Sequence, residues 1–214
     1  MKYIVLNIFF ISFLLSEKLP NDVRWVVNSK EYEALCHQVY NHAKKILNAY
    51  GDDDLPHAVV MDLDETVLDN SLYQIELHEK KETFNMESWA AWVEREEAKL
   101  VPGAYDYISL LRENKIQIIF ISNRMDERLK STKNNMKKLN IFSDDDIYLL
   151  RKNKKDKKHI RRQEIYKSIG RMKNKGSFRV IQYFGDAMGD FPDKGNNKFG
   201  FDQFILPNPM YGKW

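Results

Sequence analysis

The run AVVMDLDETVLDNS, residues 58–71, ends an apolar segment with Asp62, Asp64 and Glu65 crowded together. Carboxylates this close raise one another's pKa and cost free energy unless a positive charge sits among them. Three later runs carry complementary groups. Ser122-Asn123-Arg124 follows IQIIFI, a basic segment follows IYLL, and Gly185-Asp186 follows VIQYF. Acids, a hydroxyl and cations gathered together suit phosphoryl transfer better than hydride or acyl transfer. A carboxylate can attack phosphorus and split hydrolysis into two steps. A second carboxyl group can protonate the leaving oxygen and later deprotonate water. The attacking carboxylate and the phosphate repel, so a hard divalent cation is required between them. Mg²⁺ suits that place, because it favours carboxylate oxygens, retained waters and substrate phosphate. Asp62 and Asp186 can supply the carboxylates. A lysine and a hydroxyl would hold the remaining phosphate oxygens.

These residues converge only if the intervening elements bring them together. SKEYEALCHQVYNHAKKILNAY has apolar residues at three and four spacing, which predicts an amphipathic helix with Ser29 as N-cap. AVVMDL, IQIIFIS, DIYLL and FRVIQYF read as four short strands. Between them, DERLKSTKNNMKKLNI and KKHIRRQEIYKSIGRM read as helices. Strands alternating with helices predict an α/β three-layer sandwich around a central parallel sheet. In such sheets the binding crevice lies at the carboxyl ends of the strands, where all four chemical runs begin. The stretch from Asp69 to Leu100 is helical in pattern, with Pro102-Gly103 as punctuation after it. It reads as a small helical insertion, about residues 69–100.

Size and composition fit one domain. The chain has 214 residues, 43% hydrophobic and 30% charged, enough to bury a core. Its 34 basic and 31 acidic side chains nearly balance, which argues against nucleic acid and against an anionic membrane surface as partners. The run RKNKKDKKHIRR is strongly basic, but no aromatics interleave with the charges. A solvated face is the plain reading for every cation in it except one phosphate-binding lysine. Cys36 is the single cysteine, so no internal disulfide or cysteine metal cluster can form; its helical spacing suits a core thiol. Residues 1–18 open with Lys2 and an apolar run from Tyr3 to Leu15, the length of a secretory h-region and short for a membrane span. Export to the periplasm, cell envelope or medium is the expectation, with residues 19–214 as the working domain. No cysteine follows the run, so a lipid anchor has no attachment point and no stable membrane anchor is expected.

The motifs DLDETVLDNS, FISNR, a Lys-x-x-Arg-Arg stretch and GDAMGDF, in that order, resemble the haloacid dehalogenase superfamily of phosphohydrolases. More narrowly, the chain resembles the bacterial class C nonspecific acid phosphatases. WVVNSKEYEALCHQVYNHA near the start and LPNPMYGKW at the end look like that family too, so the likeness covers nearly all of the chain after its apolar run. The resemblance implies Asp62 as nucleophile and metal ligand, and Asp64 as acid/base residue and metal contact through its carbonyl. It implies Ser122 and Lys158 for phosphate, Asp186 as a further metal ligand, and Asp190 as an outer residue holding metal waters. Lys157 adjoins Lys158; the distance to Arg161-Arg162 favours Lys158. It further implies a Mg²⁺-dependent enzyme working best in acid on phosphomonoesters, 5′-nucleotides among them, and a homodimer as in relatives. Trp89, Trp92 and Tyr211 become candidates for stacking on substrate, with Asn70 and Arg124 as flanking contacts. The three-residue spacing of Trp89 and Trp92 equally suits core packing. Two other functions share these residues: phosphoryl transfer to an alcohol acceptor, and capture of nucleotides without turnover.

Overall fold

The computed structural model describes residues 18–47, 49–51, 54–192 and 198–212. The apolar run expected to act as an export signal lies outside the described residues.

Two helices lead in, α1 (Asn21–Asn28) and α2 (Lys30–Leu47). Ser29 starts α2 as its sequence suggests: its Oγ accepts the Tyr32 amide at 3.0 Å, satisfying one of the free donors of the first turn. The sheet begins with β1 (His57–Met61). The chain then leaves the sheet through β2 (Leu68–Asp69), α3 (Ser71–Lys80), α4 (Met86–Arg95) and β3 (Lys99–Leu100). β2 and β3 pair antiparallel, Leu68 opposite Leu100, and so fasten the two ends of the excursion together. Asn85 caps α4 with its side chain, accepting from the Glu87 and Ser88 amides. After α5 (Ala104–Glu113) the chain alternates: β4 (Gln117–Met125), α6 (Leu129–Lys138), β5 (Ile147–Arg151), α7 (Lys158–Lys167), β6 (Arg179–Gly185) and β7 (Gln203–Ile205).

The main sheet has the order β5-β4-β1-β6-β7, and every neighbouring pair in it is parallel. Alternation along the strands splits the apolar residues between two faces. Val59, Met61, Ile118 and Phe120 join one buried cluster with α2 and α5; Ala58, Val60, Ile119 and Ile121 join another with Ile165 of α7. Period-two burial on both faces is what makes the sheet the middle layer of three. In the larger cluster Phe184 stacks on Tyr40 and on Phe204, with centroids 5.4 and 4.9 Å apart. The four strands read from the sequence are present. β7 is an additional fifth strand, and the β2–β3 pair is a second small sheet. Among the described residues, no helix is long and apolar enough to cross a membrane.

Candidate active site

β1 lies between β4 and β6 in the middle of the sheet, so its exit is flanked by theirs. The Asp62 amide still donates to Phe184 O at 2.9 Å, carrying the ladder one residue past β1. The chain then turns tightly. The Val67 and Leu68 amides both donate to Leu63 O, and Glu65 adopts a left-handed φ of 55°. This turn separates the two aspartates into different surroundings.

Asp62 faces acids. Oxygens of Asp62, Asp186 and Asp190 lie within 4.8 Å of one another. Lys158, the first residue of α7, reaches into the group. Its Nζ stands 2.7 Å from Asp62 Oδ1 as an ion pair, and it donates to Asp190 Oδ1. Burial pushes the Asp62 carboxyl well above the usual carboxylate range; Lys158 opposes this, while Asp190, Asp186 and Asp64 add to it. Burial by itself would lower the Lys158 ammonium, but Asp62 and Asp190 outweigh it and hold that pKa above its ordinary value. Asp186 is pushed up to about 6, by burial first and Asp190 second. Asn208 Nδ2 donates to Asp186 Oδ2 at 2.7 Å and works the other way. Asp190 is fixed from behind, its Oδ2 accepting the Ala187 amide at 3.0 Å. Gly185 leaves room for it: a Cβ there would lie 2.3 Å from Asp190 Cβ.

Asp64 faces a cation and an amide. Its Oδ1 lies 2.9 Å from Arg124 Nε, 2.8 Å from Arg124 Nη2 and 3.1 Å from Asn70 Nδ2. Its Oδ2 is left toward Ser122, whose Oγ donates to it at 3.3 Å. Ser122 and Arg124 come from the end of β4, where the register with β5 shifts between Ser122 and Met125. Such an irregularity re-aims side chains beside a site. It leaves Ser122 and Arg124 both buried, with Asn123 exposed between them.

The structure brings Asp62, Asp64, Ser122, Lys158, Asp186 and Asp190 to one end of the sheet. Lys157 is exposed and precedes α7, and Lys158 is the lysine that enters. Three residues expected against substrate are differently employed. Trp92 is only 2% exposed and spends its indole N–H on Asn70 Oδ1 at 2.8 Å, so its ring belongs to the core. Asn70 is fully buried, its amide shared among Asp64, Glu65 and Leu68, so no donor is left over for a ligand. Arg124 is 1% exposed and committed to Asp64, Thr132 and Asn70. Trp89 is half-buried, and the Arg124 guanidinium lies over its ring at 5.8 Å. Tyr211 is partly exposed, and its hydroxyl donates to Glu65.

Three participants carry no assignment from sequence. Glu65 is buried and accepts from the Asn70 amide and side chain as well as from Tyr211. Burial and then Asp64 push its carboxyl well up, while the hydrogen bonds from Tyr211 and Asn70 work the other way. Asn208 holds Asp186, as described. Arg161 corrects the reading of the basic run as a solvated face: it is completely buried. Its guanidinium donates to Ser122 O, Leu149 O at 2.9 Å and Asn123 Oδ1 at 2.9 Å, tying the β4 and β5 exits together. Arg162 is buried too and donates to Gly189 O at 3.0 Å. Their positions one turn into α7, after Lys158, are the signal for this inward face.

Hard oxygen donors packed without enough positive charge among them fit a hard divalent cation. Carboxylates at parallel-strand exits, a buried lysine and a hydroxyl define a phosphoryl-transfer site on a three-layer α/β fold. Comparison narrows this class. The family model described as HAD superfamily, subfamily IIIB (acid phosphatase) matches residues 10–214, and the chain belongs to that family. The class C acid phosphatase from Bacillus anthracis has a similar structure, with 28% identity and a TM-score of 0.78, over 89% of this chain and 84% of that one. Its tungstate-bound form gives 28% identity and a TM-score of 0.76 over the same shares of the two chains. The stem 31 kDa glycoprotein of Glycine max is 25% identical over 157 residues, 71% of this chain. The chain spans 58% of the length of that curated relative.

Proposed function

We propose that the protein is a Mg²⁺-dependent acid phosphatase that hydrolyses phosphomonoesters, 5′-nucleotides among them, through an aspartyl phosphate on Asp62. The observation that carries this reading is the convergence of Asp62, Lys158, Asp186 and Asp190 at one strand end, beside Asp64 and Ser122. Family membership and the solved class C relative support the same chemistry.

Asp62 attacks phosphorus, and the ester oxygen departs with a proton from Asp64. Arg124 and Asn70 fix Asp64 Oδ1, which leaves Oδ2 as the oxygen that exchanges protons with the substrate and with water. Asp64 then takes a proton from water, which attacks the aspartyl phosphate and frees the enzyme. Lys158 and Ser122 hold the phosphate oxygens and favour the spread of charge in the transition state. Asp62 and Asp186 would hold the Mg²⁺, with the Asp64 carbonyl as a further contact and Asp190 behind. Bound there, the ion would supply positive charge that keeps Asp62 ionised and eases approach of a dianion. Trp89, half-buried above Arg124, is the aromatic surface best placed for an organic group. The apolar run of residues 3–15 supports action outside the cytoplasm.

Phosphate release from p-nitrophenyl phosphate and from 5′-nucleotides, with and without EDTA, tests the reading. Turnover that needs Mg²⁺ and vanishes in Asp62→Asn is expected. Full activity in EDTA or in that variant overturns it. Added glycerol or nucleoside separates hydrolysis from transfer, since transfer yields a new phosphomonoester in place of free phosphate.

A further inference from the structure

The charges around the site are paired unevenly. Residues 69–100, which wire into Asp64 through Asn70 and Trp92, hold eight acidic and four basic side chains, and four of the acids pair with arginine or lysine: Glu76 and Glu97 with Arg95, Glu94 with Arg128 and Glu96 with Lys138. Residues 151–159 hold six lysines and arginines against Asp156 alone. That single acid is spent inside the protein. Its carboxylate accepts the Lys152 amide at 2.9 Å and pairs with Arg171 at 3.1 Å and Arg161 at 3.4 Å. Among the described residues no acid pairs with the ammonium groups of Lys152, Lys154, Lys155 and Lys157, and all four are exposed.

The loop that presents them has a fixed shape. The Lys155 amide donates to Asn153 Oδ1 at 2.9 Å, the Asp156 amide to Asn153 O at 3.0 Å, and the Lys157 amide to Lys155 O at 2.9 Å. Arg151 Nε donates to Asn153 O at 3.2 Å from the strand below. The loop joins the carboxyl end of β5 to Lys158, and so lies at the end of the sheet that carries the acids. At about 3.5 Å per residue even a straight chain puts Lys155 within roughly 11 Å of Lys158.

We propose that this loop is a secondary anion subsite, and that the preferred substrates carry a second phosphate besides the one cleaved. This rests on the phosphatase reading above. Lys158 and Ser122 hold the reacting phosphate, and the loop lysines draw the second one. The pull is that of point charges at an exposed surface and weakens with salt.

The test compares fructose 1,6-bisphosphate with fructose 6-phosphate, using kcat/KM for phosphate release at low ionic strength and p-nitrophenyl phosphate as reference. The variant is the triple change Lys152→Ser, Lys154→Ser and Lys155→Ser, which leaves Lys157 beside the helix start intact. The wild type should favour the bisphosphate by about tenfold. The triple variant and added salt should each remove most of that preference, with p-nitrophenyl phosphate turnover unchanged by the variant. Equal use of both sugars by the wild type, or a preference that survives the triple change, overturns the subsite while leaving the phosphatase reading intact. No turnover of p-nitrophenyl phosphate overturns the phosphatase reading instead. The ratio of calorimetric dissociation constants for the two sugars, wild type against triple variant, then decides the subsite by the same criterion.

Discussion

Asp62 and Asp64 leave the same strand two residues apart and meet opposite surroundings. Asp62 looks onto Asp186 and Asp190, with one ammonium shared between it and Asp190. Asp64 has an arginine and an amide gripping one of its oxygens. The lesson is that spacing supplies two carboxyl groups, while neighbours decide what each can do. A carboxylate crowded by acids needs added positive charge and so suits a cation and an anionic substrate. One held by a fixed guanidinium keeps a set orientation and so suits proton transfer.

Breaking the Asp62 side should have the largest effect. Asp62→Asn is expected to lower kcat by about 10⁴-fold, since no amide can form the acyl phosphate; steady-state kinetics on p-nitrophenyl phosphate reads it. Breaking the Asp64 side should cost less in rate and more in stability. Arg124→Leu leaves Asp64 without its cation in a largely buried place, and should lower kcat by about 10²-fold. It should also reduce unfolding free energy by about 3 kcal/mol, measured by urea denaturation. Intact kcat in this variant would mean that Asp64 is oriented by something other than Arg124.

Two smaller changes sharpen the Asp62 side. In Gly185→Ala the new Cβ must displace Asp190, which loosens Lys158 and the acid group behind Asp186. The Mg²⁺ concentration for half-maximal activity should rise about tenfold. The smallest effect is in pH dependence. Burial and then Asp190 push the Asp186 carboxyl up to about 6 in the folded protein, from its ordinary 3.8. Between those values the folded state binds a proton that the unfolded state releases, so stability falls as pH rises through about 6. Metal-free protein should therefore melt a few degrees lower at pH 7 than at pH 5. Mg²⁺ should raise the melting temperature more at pH 7, where its ligands are ionised. Equal Mg²⁺ shifts at both values would place the metal elsewhere.

Much of this was legible in the sequence because period and chemistry coincide. The apolar runs of β1, β4, β5 and β6 each end on a polar group, and a parallel sheet collects strand ends. β7 has three residues and β2 and β3 two each, too short to show a period. Asn208 meets Asp186 across 22 residues, a contact that no local pattern encodes. Glu65 was visible as a third acid, yet its work with Asn70 and Tyr211 depends on a left-handed turn and on the last described residues folding back. Arg161 hid within a basic run, because charge alone does not reveal that its guanidinium closes buried carbonyls at two strand ends. Trp92 showed the right spacing for either core or stacking, and packing beneath Asn70 settles which.

The most direct measurement is to catch the phosphoryl group on the protein. Enzyme mixed with Mg²⁺ and p-nitrophenyl phosphate is quenched in acid within one turnover, reduced with borohydride and mapped by peptide mass spectrometry. Homoserine at position 62, and at no other aspartate, is the expected result. Full turnover with position 62 unmodified would contradict it.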